Sequence, residues 1–138
     1  MALKISLKPN ERIIIGGAVV RNGNNRCELK FENKVPLLRE KDILSESDAK
    51  TPASRIYFLI QLMYIDEENI AIHHQSYWKI VKSFLGAVPS ALPMIDEISD
   101  LILKGEYYFG LKKASKLIEY EEEVVARVSK SAASLSDS

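Results

Sequence analysis

The chain has 138 residues, 46% of them apolar, and its 19 Lys/Arg balance 19 Asp/Glu to give no formal net charge. This length and apolar content predict one globular domain, or a small module joined to a second one, and exclude disorder as the default state. The single Cys27 cannot form an intramolecular disulfide or complete a cysteine zinc site, which indicates a reducing compartment.

The charge is unevenly distributed along the chain. Residues 1–44 contain nine Lys/Arg against five Asp/Glu, and residues 45–138 contain ten against fourteen. A basic end of this kind is typical of a surface that faces a polyanion, and it is equally typical of an ordinary solvated sheet face.

We expect no targeting signal at the N-terminus. Residues 1–4 lead directly into an alternating pattern, without the apolar segment of a signal peptide. No apolar stretch approaches the roughly 18 residues that span a bilayer. We therefore expect a soluble, cytoplasmic protein that makes no membrane contact.

Residues 1–44 predict a small antiparallel β module of about five short strands. Leu3, Ile5 and Leu7 alternate with polar residues, the pattern of a half-buried strand. The pair Gly16-Gly17 predicts a hairpin between residues 12–15 and 18–20, because glycine accepts the positive φ of tight turns.

A second hairpin is predicted across residues 22–25, where an Asn-Gly pair precedes the alternating run 27–32. In that run Cys27 lies on the apolar face, which favours a core role over a reactive thiol. A last short strand is predicted at residues 37–39.

The pattern changes to helical spacing after residue 45. Thr51 is predicted to cap a first helix with Pro52 at its first position. Further helices are predicted from about Asn69, around residues 92–102, and from about Tyr107 to Lys130, with the acidic run 119–123 on a solvated face. The prediction is an α+β protein: a basic β module at 1–44, a bundle of about four helices at 45–130 and a flexible serine-rich tail at 131–138.

No motif supports catalysis. The sequence contains no Gly-rich phosphate loop, nucleophile elbow or HExxH motif. His73 and His74 are neighbours on a predicted helix, where side chains point about 100° apart, so they cannot grip one metal together. We expect no enzymatic activity, no cofactor and no metal.

Several separated blocks resemble the FlbT family of flagellar biosynthesis regulators. They occur in order and extend over nearly the whole chain: MALKISLKP (1–9), ERI (11–13), GAVVRNG (17–23), PLLREKDIL (36–44), TPASRIYF (51–58) and IQLMY (60–64). The resemblance implies a bacterial regulator that acts after transcription by binding the 5′ untranslated leader of flagellin mRNA, lowering its translation and lifetime. It also implies the small flagellar regulator FlaF as a partner. It leaves the sign of regulation open, because some members have positive effects.

The β module alone is similar to the carbon-storage-regulator type of RNA-binding protein, CsrA, over residues 9–16 and 37–40. Its final-strand arginine falls on Arg39, whereas the position of its first-strand arginine is occupied by Leu7, with Lys8 next to it. Strands of that family come from two intertwined subunits, which makes a homodimer through the β module a hypothesis here.

The RNA contacts expected from this interpretation are basic residues, since Lys and Arg neutralise phosphates. Arg39 is the first candidate, and its alternative is a surface arginine paired with Glu40 or Asp42. The remaining candidates are Lys4, Lys8, Lys41, Arg21 and Arg26. Aromatic stacking is expected to contribute little, because Phe31 is the only aromatic residue before Tyr57.

The alternative hypothesis is a protein-binding adaptor or chaperone for flagellin or FlaF. The helical part contains many aromatic residues, which anchor helix-groove interfaces or simply fill a core. They are Tyr57, Phe58, Tyr64, Tyr77, Trp78, Tyr107 and Tyr108.

Overall fold

The computed structural model describes residues 3–136, and side chains through Ser131. Its strands are β1 Leu3–Leu7, β2 Arg12–Ile15, β3 Ala18–Arg21, β4 Cys27–Phe31 and β5 Leu37–Arg39. Its α-helices are α1 Pro52–Ile65, α2 Ile70–Ala87, α3 Leu92–Leu103 and α4 Tyr107–Ser136. The predicted α+β class, with an N-terminal antiparallel β module followed by four helices, is confirmed.

The strands form two antiparallel sheets. One contains β1 and β4, and the other has the order β3-β2-β5. The predicted β2–β3 hairpin is confirmed, with Ile15 opposite Ala18. Gly16 makes this turn at φ 60, a left-handed conformation that glycine adopts without strain.

The predicted hairpin between β3 and β4 is wrong, because β4 pairs with β1. The intervening loop is bound to the β1–β2 turn instead. Asn22 Nδ2 donates to the Lys8 carbonyl oxygen of that turn at 2.8 Å and, within its own loop, to the Asn25 carbonyl oxygen at 2.9 Å. The amide of Asn10 donates to the Gly23 carbonyl at 2.9 Å. These bonds fix the loop through which the chain passes from the β3-β2-β5 sheet to the β1–β4 sheet.

The β3-β2-β5 sheet lies between the small sheet and the helices. Ile13 packs with Ile5 and Leu7 of β1, whereas Ile14 and Leu38 pack in the helical core. Burial on both faces explains why β2 is apolar at consecutive positions. Cys27 packs against the cluster between the sheets, as predicted, but is only half-buried.

The helical core is built around α1. Thr51 and Ser54 form a reciprocal capping box at its start, with Pro52 in the first turn, so the predicted cap is confirmed. Ile56 and Ile60 of α1 are fully buried in this core, together with Tyr77 of α2, Ile98 of α3 and Leu117 of α4.

α4 differs from its prediction in two ways. It continues six residues past Lys130, to Ser136. Asp137 and Ser138 lie outside the described residues, so the flexibility of the tail stays a prediction. The sequence predicted Glu121 both as the charge that interrupts the apolar stripe of this helix and as part of a solvated acidic run. Glu121 is 7% exposed, and its Oε2 accepts a hydrogen bond from the Ala53 amide at 2.9 Å. This carboxylate lies at the N-terminus of α1, where the helix dipole favours negative charge.

Of the helices between residues 3 and 136, none combines the length and the apolar character needed to cross a bilayer.

Candidate nucleic-acid interface

A shallow groove lies where the β1–β2 turn meets the end of β5. It has a volume of about 480 Å³ and is lined by Lys8, Pro9, Asn10, Glu11, Arg39, Glu40 and Lys41. Three of the six predicted RNA-contact residues therefore lie in one depression: Lys8, Arg39 and Lys41. They come from two segments that are nearly thirty residues apart in the sequence and are brought together by strand pairing.

Arg39 is held in place at the end of β5. Its Nη2 donates to the Ser6 carbonyl oxygen at 2.7 Å and to Glu11 Oε2 at 3.3 Å. The side chain is 39% exposed. Arg39 thus joins the two sheets and still presents part of its guanidinium group to solvent.

Arg39 is ion-paired, as the alternative expected, but the predicted partners are wrong because the neighbouring carboxylates pair elsewhere. Glu40 pairs with Arg12 at 3.3 Å, and Asp42 pairs with Lys112 at 3.5 Å. The partner of Arg39 is Glu11, which lies on the other wall of the groove.

Glu11 is the carboxylate that orders this groove. Its oxygen accepts a hydrogen bond from the Lys8 amide at 2.9 Å. That bond lowers the pKa of Glu11, partial burial opposes the change, and the hydrogen bond and charge of Arg39 lower the pKa further. The ionised carboxylate therefore competes with any incoming phosphate for Arg39.

The other groove cations are unpaired. Lys8 and Lys41 are exposed, and no described carboxylate lies within 4.0 Å of either ammonium group. Arg21 lies at the rim, where its Nη1 donates to the Asn10 carbonyl at 2.8 Å. Arg21 therefore adds positive charge next to the groove.

Lys4 and Arg26 lie on the outer face of the β1–β4 sheet. Lys4 is directly opposite Lys30, a pairing of like charges that destabilises a sheet and that a bound anion would relieve. Arg26 Nη1 donates to Ser6 Oγ at 3.4 Å. Since the carbonyl of Ser6 holds Arg39, this face adjoins the groove. Lys30 was missed as a candidate, although its alternation with Leu29 and Phe31 placed it on the outer face.

α1 fixes the segment that carries Arg39 and Lys41. Tyr57 Oη donates to the Asp42 carbonyl at 2.6 Å, and the Leu37 amide donates to Tyr64 Oη at 3.1 Å. Between them, Gln61 accepts from the Leu44 amide at 2.8 Å and donates to the Leu44 carbonyl at 2.9 Å. Residues 57, 61 and 64 share one helix face by their i, i+4, i+7 spacing. Sequence reasoning missed this role, because a polar residue on an apolar stripe does not reveal its distant backbone partner.

The two histidines point to different partners, as their adjacency on a helix predicts. His73 Nε2 lies 2.9 Å from Asp66 Oδ2, and this bond lowers the pKa of Asp66. His74 Nε2 lies 3.1 Å from the hydroxyl of Tyr107. Both contacts join neighbouring helical elements.

Comparisons with known proteins identify the family. The family model described as "Flagellar protein FlbT" matches residues 3–125. A Bradyrhizobium diazoefficiens protein named "Probable flagellum biosynthesis repressor protein FlbT 1" is 46% identical over 125 residues, covering 90% of this chain and 85% of the relative.

Two further relatives agree. The Caulobacter vibrioides "Flagellum biosynthesis repressor protein FlbT" is 40% identical over 131 residues, covering 94% of this chain and 93% of its own. A Rhodopseudomonas palustris relative with the same name prefixed "Probable" is 39% identical over 127 residues, covering 92% of this chain and 100% of its own. No solved structure matches the chain. The chain belongs to the FlbT family of flagellar proteins.

Proposed function

We propose that this protein is a non-enzymatic regulator of flagellum biogenesis that binds the 5′ untranslated region of flagellin mRNA in the cytoplasm, repressing translation and promoting decay. The relatives are named flagellum biosynthesis repressors, which supports a regulatory role and the negative sign. The RNA target and the post-transcriptional step rest on the family resemblance.

The observation that carries the RNA-binding step is the groove that gathers Lys8, Arg39 and Lys41. Phosphate neutralisation by Lys and Arg supplies most of the affinity for nucleic acids and makes binding sensitive to salt. Arg39 is suited to bind a phosphate or a base edge because its planar guanidinium group is already oriented by hydrogen bonds to Ser6 and Glu11. Lys4, Arg21 and Arg26 would extend the contact along the adjoining surface.

A homodimer through the β module is part of this proposal. β3 is an edge strand of its sheet, and all four of its residues are exposed, including Val19 at 67%. An exposed strand edge is a template for pairing with another chain. A dimer would double the number of basic grooves available to one RNA.

The test is binding of the full chain to a flagellin-leader RNA and to a scrambled RNA of equal length, titrated across salt concentrations. Arg39→Ala should weaken leader binding by at least about tenfold, because charged hydrogen bonds contribute about 1.5–3 kcal/mol. The matched variant Glu11→Gln keeps an acceptor for the Lys8 amide and removes the competing charge, so it should strengthen binding about threefold.

Weaker leader binding by Arg39→Ala and stronger binding by Glu11→Gln, with unchanged circular dichroism spectra, would support the groove as the RNA site. Equal affinities of all three proteins would remove the groove from the proposal. Absence of wild-type binding at low salt would overturn direct RNA binding.

One observation favours the adaptor alternative, in which flagellin or FlaF binds the helical part. A cleft of about 540 Å³ between α1 and α2 is lined partly by the apolar side chains of Phe58, Leu59, Leu62 and Ile80. In this case the effect on flagellin mRNA would be indirect, and binding would depend little on salt. Pull-down of flagellin and FlaF with wild type and Leu62→Lys distinguishes this alternative.

A further inference from the structure

The first turn of α4 exposes two adjacent aromatic side chains. Tyr108 is 39% exposed and Phe109 is 61% exposed, and their ring centroids lie 6.1 Å apart at 73°. Tyr64 near the end of α1 is a second aromatic neighbour of Tyr108, with ring centroids 6.0 Å apart. Exposed aromatic rings are a feature that the core of this protein does not require.

Cations accompany these rings along the same helix. Lys112 Nζ lies 5.1 Å from the centroid of the Tyr108 ring. Phe109, Lys112 and Lys116 follow an i, i+3, i+7 spacing, so they share one face of α4. Lys116 is exposed, and no described carboxylate lies within 4.0 Å of its ammonium group.

This surface adjoins the basic groove through the segment 37–42. The Tyr64 hydroxyl binds the Leu37 amide at one end, and Lys112 contacts Asp42 at 3.5 Å at the other. Asp42 follows Arg39 by three residues in a 3₁₀ turn, a separation of about 6 Å at 2.0 Å per residue. Rings of α4 and cations of the groove therefore flank the same short segment.

We propose that Tyr108 and Phe109, with Lys112 and Lys116, form a stacking site for unpaired bases of the RNA whose phosphates lie along the groove. The proposal rests on the proposed RNA-binding function and extends it from the β module to α4. It also revises the expectation from the sequence that aromatic stacking contributes little, since these rings lie about seventy residues after Arg39.

The combination of chemistry favours RNA over a protein partner. Single-stranded nucleic acids are bound by aromatic rings for the bases together with cations that follow the phosphates. The centres of protein interfaces are depleted in lysine, whereas here the Lys112 ammonium lies over the Tyr108 ring. The Lys112 ammonium also pairs with the Asp42 carboxylate at 3.5 Å.

The experiment measures affinity of the full chain for leader RNA by fluorescence anisotropy, with the double variant Tyr108→Leu/Phe109→Leu. Leucine retains apolar volume and removes the π face. The matched control is Val128→Ala, which changes an exposed apolar residue of α4 about 30 Å further along the helix. A second pair compares Lys116→Gln with Lys130→Gln, two exposed lysines of the same helix.

We expect the double leucine variant to bind leader RNA about tenfold more weakly with an unchanged salt slope, because stacking is not electrostatic. Its affinity for an abasic oligonucleotide of equal length should equal that of the wild type. Lys116→Gln should lower the salt slope by about one, and Lys130→Gln should not. Far-ultraviolet circular dichroism of each variant confirms that the helices are intact.

Wild-type affinity of the double leucine variant, with Arg39→Ala still defective, would overturn the stacking site and leave the groove proposal standing. An equal loss on abasic and normal RNA would also overturn it, since a change in fold would then be responsible. Loss of flagellin or FlaF binding with unchanged RNA affinity would reassign the surface to a protein. Absence of RNA binding by the wild type would remove the proposed function itself and this site with it.

Discussion

The β module and the helical part differ most in how they are held together. The cluster between the two sheets contains three buried apolar side chains, whereas the cluster built by the helices contains seventeen, including Ile14 and Leu38 from the strands. Folds of about 40 residues rarely stand alone without disulfides, metals or partners. The surface that carries most of the candidate RNA contacts therefore depends for its order on helices that contribute few of those contacts.

The largest expected change in stability comes from comparing two neighbouring leucines of β5 whose side chains face opposite sides of the sheet. Leu38 is buried in the helical core, and Leu37 is half-buried between the sheets. Leu38→Ala should lower the free energy of unfolding by about 3 kcal/mol, because it leaves a cavity in a tightly packed site. Leu37→Ala should cost about 1 kcal/mol. Urea denaturation followed by circular dichroism measures both, and equal losses would contradict the dependence on the helical core.

A smaller effect on stability is expected from the polar clamp, the two hydrogen bonds by which the Gln61 side chain of α1 holds the backbone of Leu44. Gln61→Met preserves the shape of the side chain but leaves the Leu44 amide and carbonyl without their partners. We expect the free energy of unfolding to fall by about 2 kcal/mol. Gln75→Met, on an exposed position of α2, is the control and should change stability by less than about 0.5 kcal/mol. A matching loss in the control would show that the clamp is not the cause.

The smallest expected effect is a loss of stability at alkaline pH, caused by ionisation of two buried tyrosines. Burial, together with a smaller contribution from the charge of Asp42, raises the pKa of Tyr57 from 10.0 to about 12. Burial also raises the pKa of Tyr77 to about 12, although the hydrogen bond with Ser99 lowers it. Because the folded pKa values are raised, this contribution to stability is fully present below pH 10 and is lost as pH rises to 12.

The variants Tyr57→Phe and Tyr77→Phe distinguish the contributions of the two hydroxyl groups to stability in this pH range. Each should lose less stability than the wild type between pH 10 and pH 12, measured by urea denaturation at fixed pH. Tyr57→Phe should also be less stable at neutral pH, since its hydroxyl binds the Asp42 carbonyl that anchors the groove segment. Parallel curves for wild type and variants would contradict the assignment of these hydroxyls.

Local sequence patterns predicted the elements well and their partners less well. Alternation located β1, and Thr51 with Pro52 located the start of α1, because these signals depend on neighbouring residues. The predicted β3–β4 hairpin was wrong because β4 pairs with β1, and the Asn22 side chain donates to the Lys8 carbonyl oxygen of the β1–β2 turn. A loop bound elsewhere has the same local sequence as a hairpin.

In the candidate site, too, the sequence identified individual residues but not their partners. Lys8, Arg39 and Lys41 were identified by charge, and their gathering in one groove required strand pairing that the sequence pattern did not specify. Glu11 as the partner of Arg39, and Tyr108 beside the groove segment, are contacts between distant positions. Periodicity carries no information on such contacts, so they became visible only in three dimensions.

The bond between the Ala53 amide and Glu121 joins residues that are 68 positions apart. Translation adds about 5–20 residues per second, so about 3–14 s pass between the synthesis of α1 and that of its acidic acceptor. During this interval the nascent β module can dock on a helix whose first turn still lacks that partner. A ribosome that stalls before residue 121 would therefore hold a chain whose strands and central helix are complete but whose Ala53 amide still lacks its carboxylate acceptor.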